Sequence, residues 1–188
     1  MPSTSKHAIP FVYLVGNSLL GQTLAAASPK GICMLAFADS RGELIKDVVR
    51  RFPGAVPVPT RHPSMTWLRQ AVRHVATPWE GPSFPLDMHG TDFQRKVWRA
   101  LRRVPAGRKA SYQDIAHAIG APKATRAVAG ACGANPVSIA VPCHRIVHRD
   151  GSISGYRWGV KRKQKLLALE AAHTTKSART ARTIRMTR

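Results

Sequence analysis

The chain has 188 residues and a mass of 20.5 kDa, with 44% hydrophobic and 6% aromatic residues, an ordinary globular composition with room for one substantial core or two small ones. No run of about 18 apolar residues occurs, which excludes a bilayer-spanning helix. Lys+Arg 30 against Asp+Glu 9 gives a formal charge of +21, unevenly placed: nine basic and five acidic residues lie in 1–90, sixteen and four in 91–170, five and none in 171–188.

A field of this sign attracts polyanions, nucleic acid first among them, with a merely solvated surface as the alternative. The three cysteines, Cys33, Cys132 and Cys143, stand 99 and 11 residues apart, which is neither a disulfide framework nor a zinc pattern and fits a reducing compartment. Met1-Pro-Ser-Thr-Ser-Lys-His lacks the apolar segment of a secretion signal, so the expectation is a cytoplasmic protein with no membrane partner.

In chain order, Pro10–Val15, Gln22–Ala26 and Ile32–Ala38 read as strands of an antiparallel meander, separated by Gly16-Asn17 and Ser28-Pro29-Lys30-Gly31 turns. A helix follows from Gly42 to Phe52, carried by Leu44, Ile45, Val48 and Val49 and stopped by Pro53-Gly54; another spans Met65–Val75. Ala55–Pro63 and Thr77–Gly90, both rich in proline, read as loops. The expected organisation is an extension over 1–9, an α/β unit over 10–87, a second unit over 88–172 and a basic tail without structure over 173–188. Cys33, in an apolar strand, is assigned to the core.

The second half opens with the capping-box pattern Thr91-Asp-Phe-Gln94 before Val97, Leu101 and Val104 at helical spacing. The opposite face, Arg95, Lys96, Arg99, Arg102 and Arg103, is either solvated or holds phosphates. Ser111-Tyr-Gln-Asp114 caps a short helix ending at Gly120, and Pro122 opens a further helix to Ala134, the plan of a helix-turn-helix. Its second helix has one long polar side chain, Arg126. The small residues around it either let a backbone approach a narrow groove or simply pack against a neighbour. His117 and Cys132 are assigned structural roles.

The apolar run Val137–Val141 reads as a buried strand that gives out at Pro142, presenting the Cys143 thiol at the rim of a core. Positive charge or a base lowers a thiol's pKa and makes it nucleophilic, and His144 and Arg145 follow at once; an inert packed cysteine is the alternative. Ser154-Gly-Tyr-Arg-Trp-Gly159 is a compact loop whose aromatics either stack a base or plug the loop. A last helix, Lys161–Ala172, turns Leu166, Leu167 and Leu169 inward, with Glu170 beside them either orienting a histidine or facing solvent.

Asn135-Pro136, Val141-Pro-Cys-His-Arg-Ile, Ser154-Gly-Tyr-Arg-Trp-Gly and Leu166-Leu-Ala-Leu-Glu170 in this order resemble the O6-alkylguanine-DNA alkyltransferases (methylated-DNA–protein-cysteine methyltransferases). Within that family the likeness is greatest to the C-terminal half of the bacterial adaptive-response members. Phe93-Gln94, Val97-Trp98, Ser111-Tyr-Gln and Arg126-Ala-Val-Ala add to the match, which covers residues 10–172 and is most specific over 91–170.

The resemblance implies a small α/β N-terminal domain with an antiparallel sheet, then a mostly helical domain whose helix-turn-helix binds the minor groove of double-stranded DNA and flips an alkylated guanine into a pocket. It implies that Ala124, Thr125, Arg126, Ala127, Ala129 and Gly130 face DNA, with Arg126 inserted where the base leaves, and that Tyr112 assists rotation and donates a proton. Cys143 takes the alkyl group from O6-alkylguanine, or from O4-alkylthymine, in one irreversible displacement. His144 serves as base through a water, Glu170 orients it, and Asn135 ties the recognition helix to the active-site turn. Val141, Pro142, Ser154, Tyr156, Arg157 and Trp158 line the pocket or its lid.

By the same resemblance the protein is a monomer that turns over once, with no cofactor and no obligate protein partner; where it departs from some relatives, lacking their regulatory domains and the two cysteines and two histidines of their N-terminal zinc site, the expectation is no transcriptional role and no metal. Three other readings remain: a binder of alkylated DNA without chemistry, a thiol hydrolase, and a basic DNA-binding module with an inert cysteine.

Overall fold

The computed structural model describes residues 11–186, with side chains through Ser177; the expected extension over 1–9 and the last two residues of the tail lie outside the described residues. The chain divides into two compact units. The first comprises residues through Ala76 together with Pro82–His89, and the second comprises Thr77–Gly81 and everything from Gly90 on. The proline-rich stretch read as one linker is thus shared between them.

In the first unit, β1 (Val12–Ser18), β2 (Gly21–Ser28) and β3 (Gly31–Ala38) form the expected meander, and the parallel β4 (Val56–Pro57) adds to its β1 edge, giving the order β3-β2-β1-β4. β4 lies within the segment read as loop. Two residues leave no room for a periodic signal, and its pairing is set by the sheet edge. Helix α1 (Arg41–Arg51) begins at Ser40, whose hydroxyl accepts from the Glu43 amide, and buries Leu44 and Val48. Helix α2 (Met65–His74) buries Leu68 and Ala71.

Both helices pack on this sheet, so Leu24–Ala27 and Ile32–Ala36 are buried without alternation. The outer edge of β3 is covered by the chain at Pro85–Asp87: Ile32 N–H donates to Pro85 O (2.8 Å) and Asp87 N–H to Ile32 O (2.9 Å). Gly31 permits this approach, since a Cβ there would lie 2.6 Å from Pro85 O.

The second unit contains α3 (Asp92–Leu101), a parallel pair β5 (Ala110–Ser111) and β6 (Ile146–Val147), α4 (Tyr112–Ala118), α5 (Thr125–Ala134) and α6 (Val160–Met186). Both capping boxes form: Thr91 and Gln94 cap α3, and Ser111 and Asp114 cap α4. Trp98, fully buried, donates its indole N–H to Ala131 O at 2.8 Å and so locks α3 to α5. The helix-turn-helix is clamped at its turn, where Gln113 donates to Pro122 O (2.9 Å) and accepts from the Thr125 hydroxyl (2.7 Å).

Three expectations are corrected in this unit. Helix α5 starts at Thr125 rather than Pro122, because residues 121–124 make a turn. The apolar run 137–141 is a buried turn, not a strand. Ile139 takes φ 67°, a left-handed conformation costly for a β-branched residue, with Ala140 N–H donating to Ser138 O and Val141 N–H to Val137 O. The tail expected to lack structure from 173 continues α6 to Met186; from Val160 on there is neither proline nor glycine to stop it.

Candidate active site

Cys143 opens a single 3-10 turn, Cys143–Arg145, rather than ending a strand. It is 5% exposed and forms part of the wall of a cavity of about 460 Å³ shared by Tyr112, Arg126, Cys132, Ser154, Tyr156 and Arg157, among others. That volume suits a small organic group rather than an ion. Helix α5 supplies Thr125, Arg126, Ala129, Cys132 and Gly133 to one wall, and the loop 154–157 supplies the other.

Behind the thiol the site is polar and closed. Asn135, at the C-terminal end of α5 and fully buried, donates from Nδ2 to Val141 O (2.8 Å) and to Cys143 Sγ (3.2 Å), and its Oδ1 accepts the Val137 N–H (3.0 Å). One side chain thus joins the helix, the turn and the sulfur. His144 Nε2 lies 2.9 Å from Glu170 Oε1, both residues having no exposed surface. A carboxylate only accepts, so Nε2 carries the proton and Nδ1 is left as the basic nitrogen, buried and without a protein partner among the described residues.

Glu170 also receives Arg145: Nη2 at 2.8 Å and Nε at 3.1 Å from both oxygens, while Arg145 donates further to Val104 O and Pro78 O and the Gly107 N–H reaches Glu170 Oε2. Burial opposes charge on Glu170, but the hydrogen bonds from His144 and Arg145 win and hold its pKa at about 2. Burial keeps His144 below its usual range, hence neutral. Arg145, read from the sequence as a positive charge beside the thiol, is instead spent on Glu170. Burial raises the Cys143 pKa, opposed by the Asn135 hydrogen bond and by Lys163. The resting sulfur is therefore a thiol, and it needs a base to become a nucleophile.

Lys163, 1% exposed, donates to Ile146 O (2.5 Å) and Ser154 Oγ (2.7 Å), and Ser154 Oγ accepts the Tyr112 hydroxyl (2.7 Å). Burial lowers the Lys163 pKa and raises that of Tyr112. Tyr156 meets the Ser138 hydroxyl and packs edge-on to Trp158, with ring centroids 5.3 Å apart.

Of the residues singled out from the sequence, Cys143, Tyr112, Thr125, Arg126, Ala129, Ser154, Tyr156 and Arg157 share the cavity wall. His144, Glu170 and Asn135 stand behind it. Val141, Pro142 and Trp158 are buried outside the lining, Ala127 and Gly130 lie on the exposed face of α5, and Ala124 precedes it. His117 is exposed, whereas Cys132, taken as structural, faces the cavity.

Lys163 and Ser138 were not foreseen. For Lys163 a signal existed, since Lys163, Leu166 and Glu170 form one buried stripe at helical spacing. Among the described residues no three His, Cys, Asp or Glu side chains are grouped to hold a metal ion, and no helix is long and apolar enough to cross a membrane.

A family described as the DNA binding domain of 6-O-methylguanine DNA methyltransferase matches residues 92–172. The chain is 44% identical over 159 residues to the bifunctional transcriptional activator/DNA repair enzyme Ada of Escherichia coli, an alignment spanning 85% of this chain and 45% of Ada. The chain thus covers less than half the length of that relative. It is 39% identical over 140 residues to the inducible methylated-DNA–protein-cysteine methyltransferase of Bacillus subtilis, covering 72% of this chain and 78% of that protein. The crystal structure of Mycobacterium tuberculosis OGT in complex with DNA matches with a TM-score of 0.70 at 33% identity, over 86% of this chain and 93% of that one. With its thiol, its helix-turn-helix and these likenesses together, the chain belongs to the methylated-DNA–protein-cysteine methyltransferase family.

Proposed function

We propose that this protein repairs DNA by direct reversal, moving the alkyl group of O6-alkylguanine onto Cys143 once and irreversibly. The carrying observation is a thiol that opens into a base-sized cavity beside the recognition helix, while a buried His144–Glu170 pair stands behind it. Arg126 on α5 enters the duplex from the minor groove and takes the place of the flipped base, whose unstacking costs a few kcal/mol. The small residues of α5, Ala127 and Gly130 among them, bring the helix backbone close to the groove.

His144 Nδ1 accepts the thiol proton through a water, and Glu170 and Arg145 hold the ring for that task. The sulfur then attacks the alkyl carbon: the S–C bond forms, the C–O6 bond breaks, and the guanine leaves with a proton supplied by Tyr112. Lys163, reaching Tyr112 through Ser154, steadies the phenol as it gives up that proton. The thioether that remains is stable, so one protein corrects one lesion. We place it as a monomer acting on nucleoid DNA in the cytoplasm, without an obligate protein partner.

The test is the intact mass of the protein after mixing with a short duplex bearing one O6-methylguanine, beside an unmodified duplex. Gain of one methylene on Cys143, only with the lesion, is the expected result. Selective binding with no mass change would leave a damage binder without chemistry.

A further inference from the structure

The Arg145 guanidinium is held by three segments far apart in the chain. Its Nε and Nη2 meet Glu170 on α6, its Nη1 donates to Val104 O beyond α3, and its Nη2 donates again to Pro78 O at 3.0 Å, in the stretch Thr77–Gly81 that belongs to the second unit. A guanidinium Nη carries two protons, so both on Nη2 are used. Without Pro78 O, one N–H of an arginine only 7% exposed would lose its partner or admit water, and the ion pair that orients His144 would slacken.

What keeps Pro78 in place is an aromatic stack. Trp79, next in the chain, lies flat on His173, with ring centroids 4.2 Å apart and planes 7° apart. His173 follows Glu170 by three positions on α6, and residues three apart are neighbours on one helix face. The stretch is also shaped locally for this contact: Glu80 N–H donates to Thr77 O (3.0 Å), the Thr77 hydroxyl donates to Glu80 Oε2 (3.0 Å), and Pro78 has a fixed φ and no N–H to satisfy. Neither ring of the stack lines the cavity around Cys143.

We infer that Thr77–Gly81 is a strap that positions the proposed base: the Trp79–His173 stack holds Pro78 O against Arg145, Arg145 fixes Glu170, and Glu170 fixes the His144 ring. The inference rests on the alkyl-transfer reading above and deepens it. Trp79 and His173 are positioning residues, which touch neither the sulfur nor the wall that receives the base. The strap therefore acts on the rate of transfer and leaves the affinity for the lesion duplex alone.

The experiment uses the full chain and the variants Trp79→Ala, His173→Ala, both together, and Trp79→Phe, which keeps a ring for the stack. Methyl transfer from a short duplex bearing one O6-methylguanine is followed in single turnover over a range of duplex concentrations and across the pH range in which a histidine titrates. Thermal unfolding of each variant is recorded so that rates are compared among folded proteins. Trp79→Ala and His173→Ala should each lower the maximal rate on the order of tenfold, the effect of a slightly misplaced base, with the half-saturating duplex concentration unchanged. The double variant should be no slower than either single one, because both remove the same contact. Trp79→Phe should keep most of the rate.

The pH profile carries a sign. Burial is the largest cause that lowers the His144 pKa, and the charged groups facing the ring, Glu170, Arg145 and Lys163, are intact in every variant. Water admitted at the strap relieves that burial, so the acid limb of the rate should move to higher pH in the alanine variants. Parental rates in both alanine variants overturn the inference. So does a loss that appears in the half-saturating concentration, or one with an unmoved pH profile that phenylalanine fails to rescue, since either marks general support of the fold. Absence of transfer in the parent protein is a different result, which removes the alkyl-transfer reading and the inference with it.

Discussion

In the first unit, strands β2 and β3 are buried mostly by hydrocarbon, with Thr23 and Ser28 the buried polar side chains of β2. Leu24, Ala25, Ile32, Leu35 and Val48 are fully buried, and the one thiol among them, Cys33, is pushed up to about 12 by burial. In the second unit, side chains buried as deeply include Asn135, Ser138, His144, Lys163 and Glu170. An apolar core tolerates exchange so long as volume and pattern are kept. A polar core holds only when every partner is present, because a single removal leaves a buried charge or donor unanswered. The unit that holds the proposed chemistry is accordingly the one that a single substitution damages most.

The sharpest way to separate the two regions is Cys143→Ala. Alkyl transfer falls to nothing in the mass assay, while thermal stability and binding to lesion DNA stay near those of the parent, because the sulfur is the proposed reacting atom and its side-chain partner is the Asn135 amide. Glu170→Ala reaches further into the fold. It leaves Arg145 buried without its counter-ion and His144 without its orienter, with an expected loss of about 3–5 kcal/mol in urea unfolding together with slowed transfer. Glu170→Gln, which keeps a hydrogen-bonding oxygen, loses less. If Glu170→Ala proves no worse than an exposed substitution, the contrast between the units is wrong.

Acid provides a third test. The Glu170 pKa is lowered from 4.5 to about 2, so the unfolded chain binds its proton first. Stability from this group is complete above pH of about 4.5, is lost as the pH falls, and is gone below about 2, a total on the order of 3 kcal/mol. His144, whose pKa burial also lowers, acts with the same sign and begins to cost stability as the pH drops below 6.5. Equilibrium unfolding monitored in each unit across this range should show the second unit weakening earlier. The smallest effect belongs to Cys33→Ala: about 1 kcal/mol lost from the sheet and no change in transfer. At neutral pH a thiol alkylating reagent should leave Cys33 unmodified in the folded protein.

The helices and the meander were legible because their causes are local. Thr91 with Gln94 and Ser111 with Asp114 announce helix starts, and Leu44, Val48, Val97 and Leu101 repeat at helical spacing. The two-residue strands β4, β5 and β6 were not, since their pairing depends on which edge another segment presents. The run 137–141 misled because five apolar residues suit a strand or a buried turn equally. Only the Asn135 side chain, reaching Val141 O and Cys143 Sγ, decides for the turn.

By itself the sequence determined the reactive residue types, their order along the chain, the helix-turn-helix and the concentration of positive charge in the second half. It named Cys143, His144, Glu170 and Asn135 through a family likeness, but left open whether Glu170 meets a histidine or solvent. The tertiary structure alone decided that Arg145 is spent on Glu170, that Lys163 is buried against Ser154, and that α6 continues to Met186. The reason is physical: a pattern of hydrophobicity records which face is buried, whereas the partner of a buried charge is chosen by packing between segments far apart in the chain.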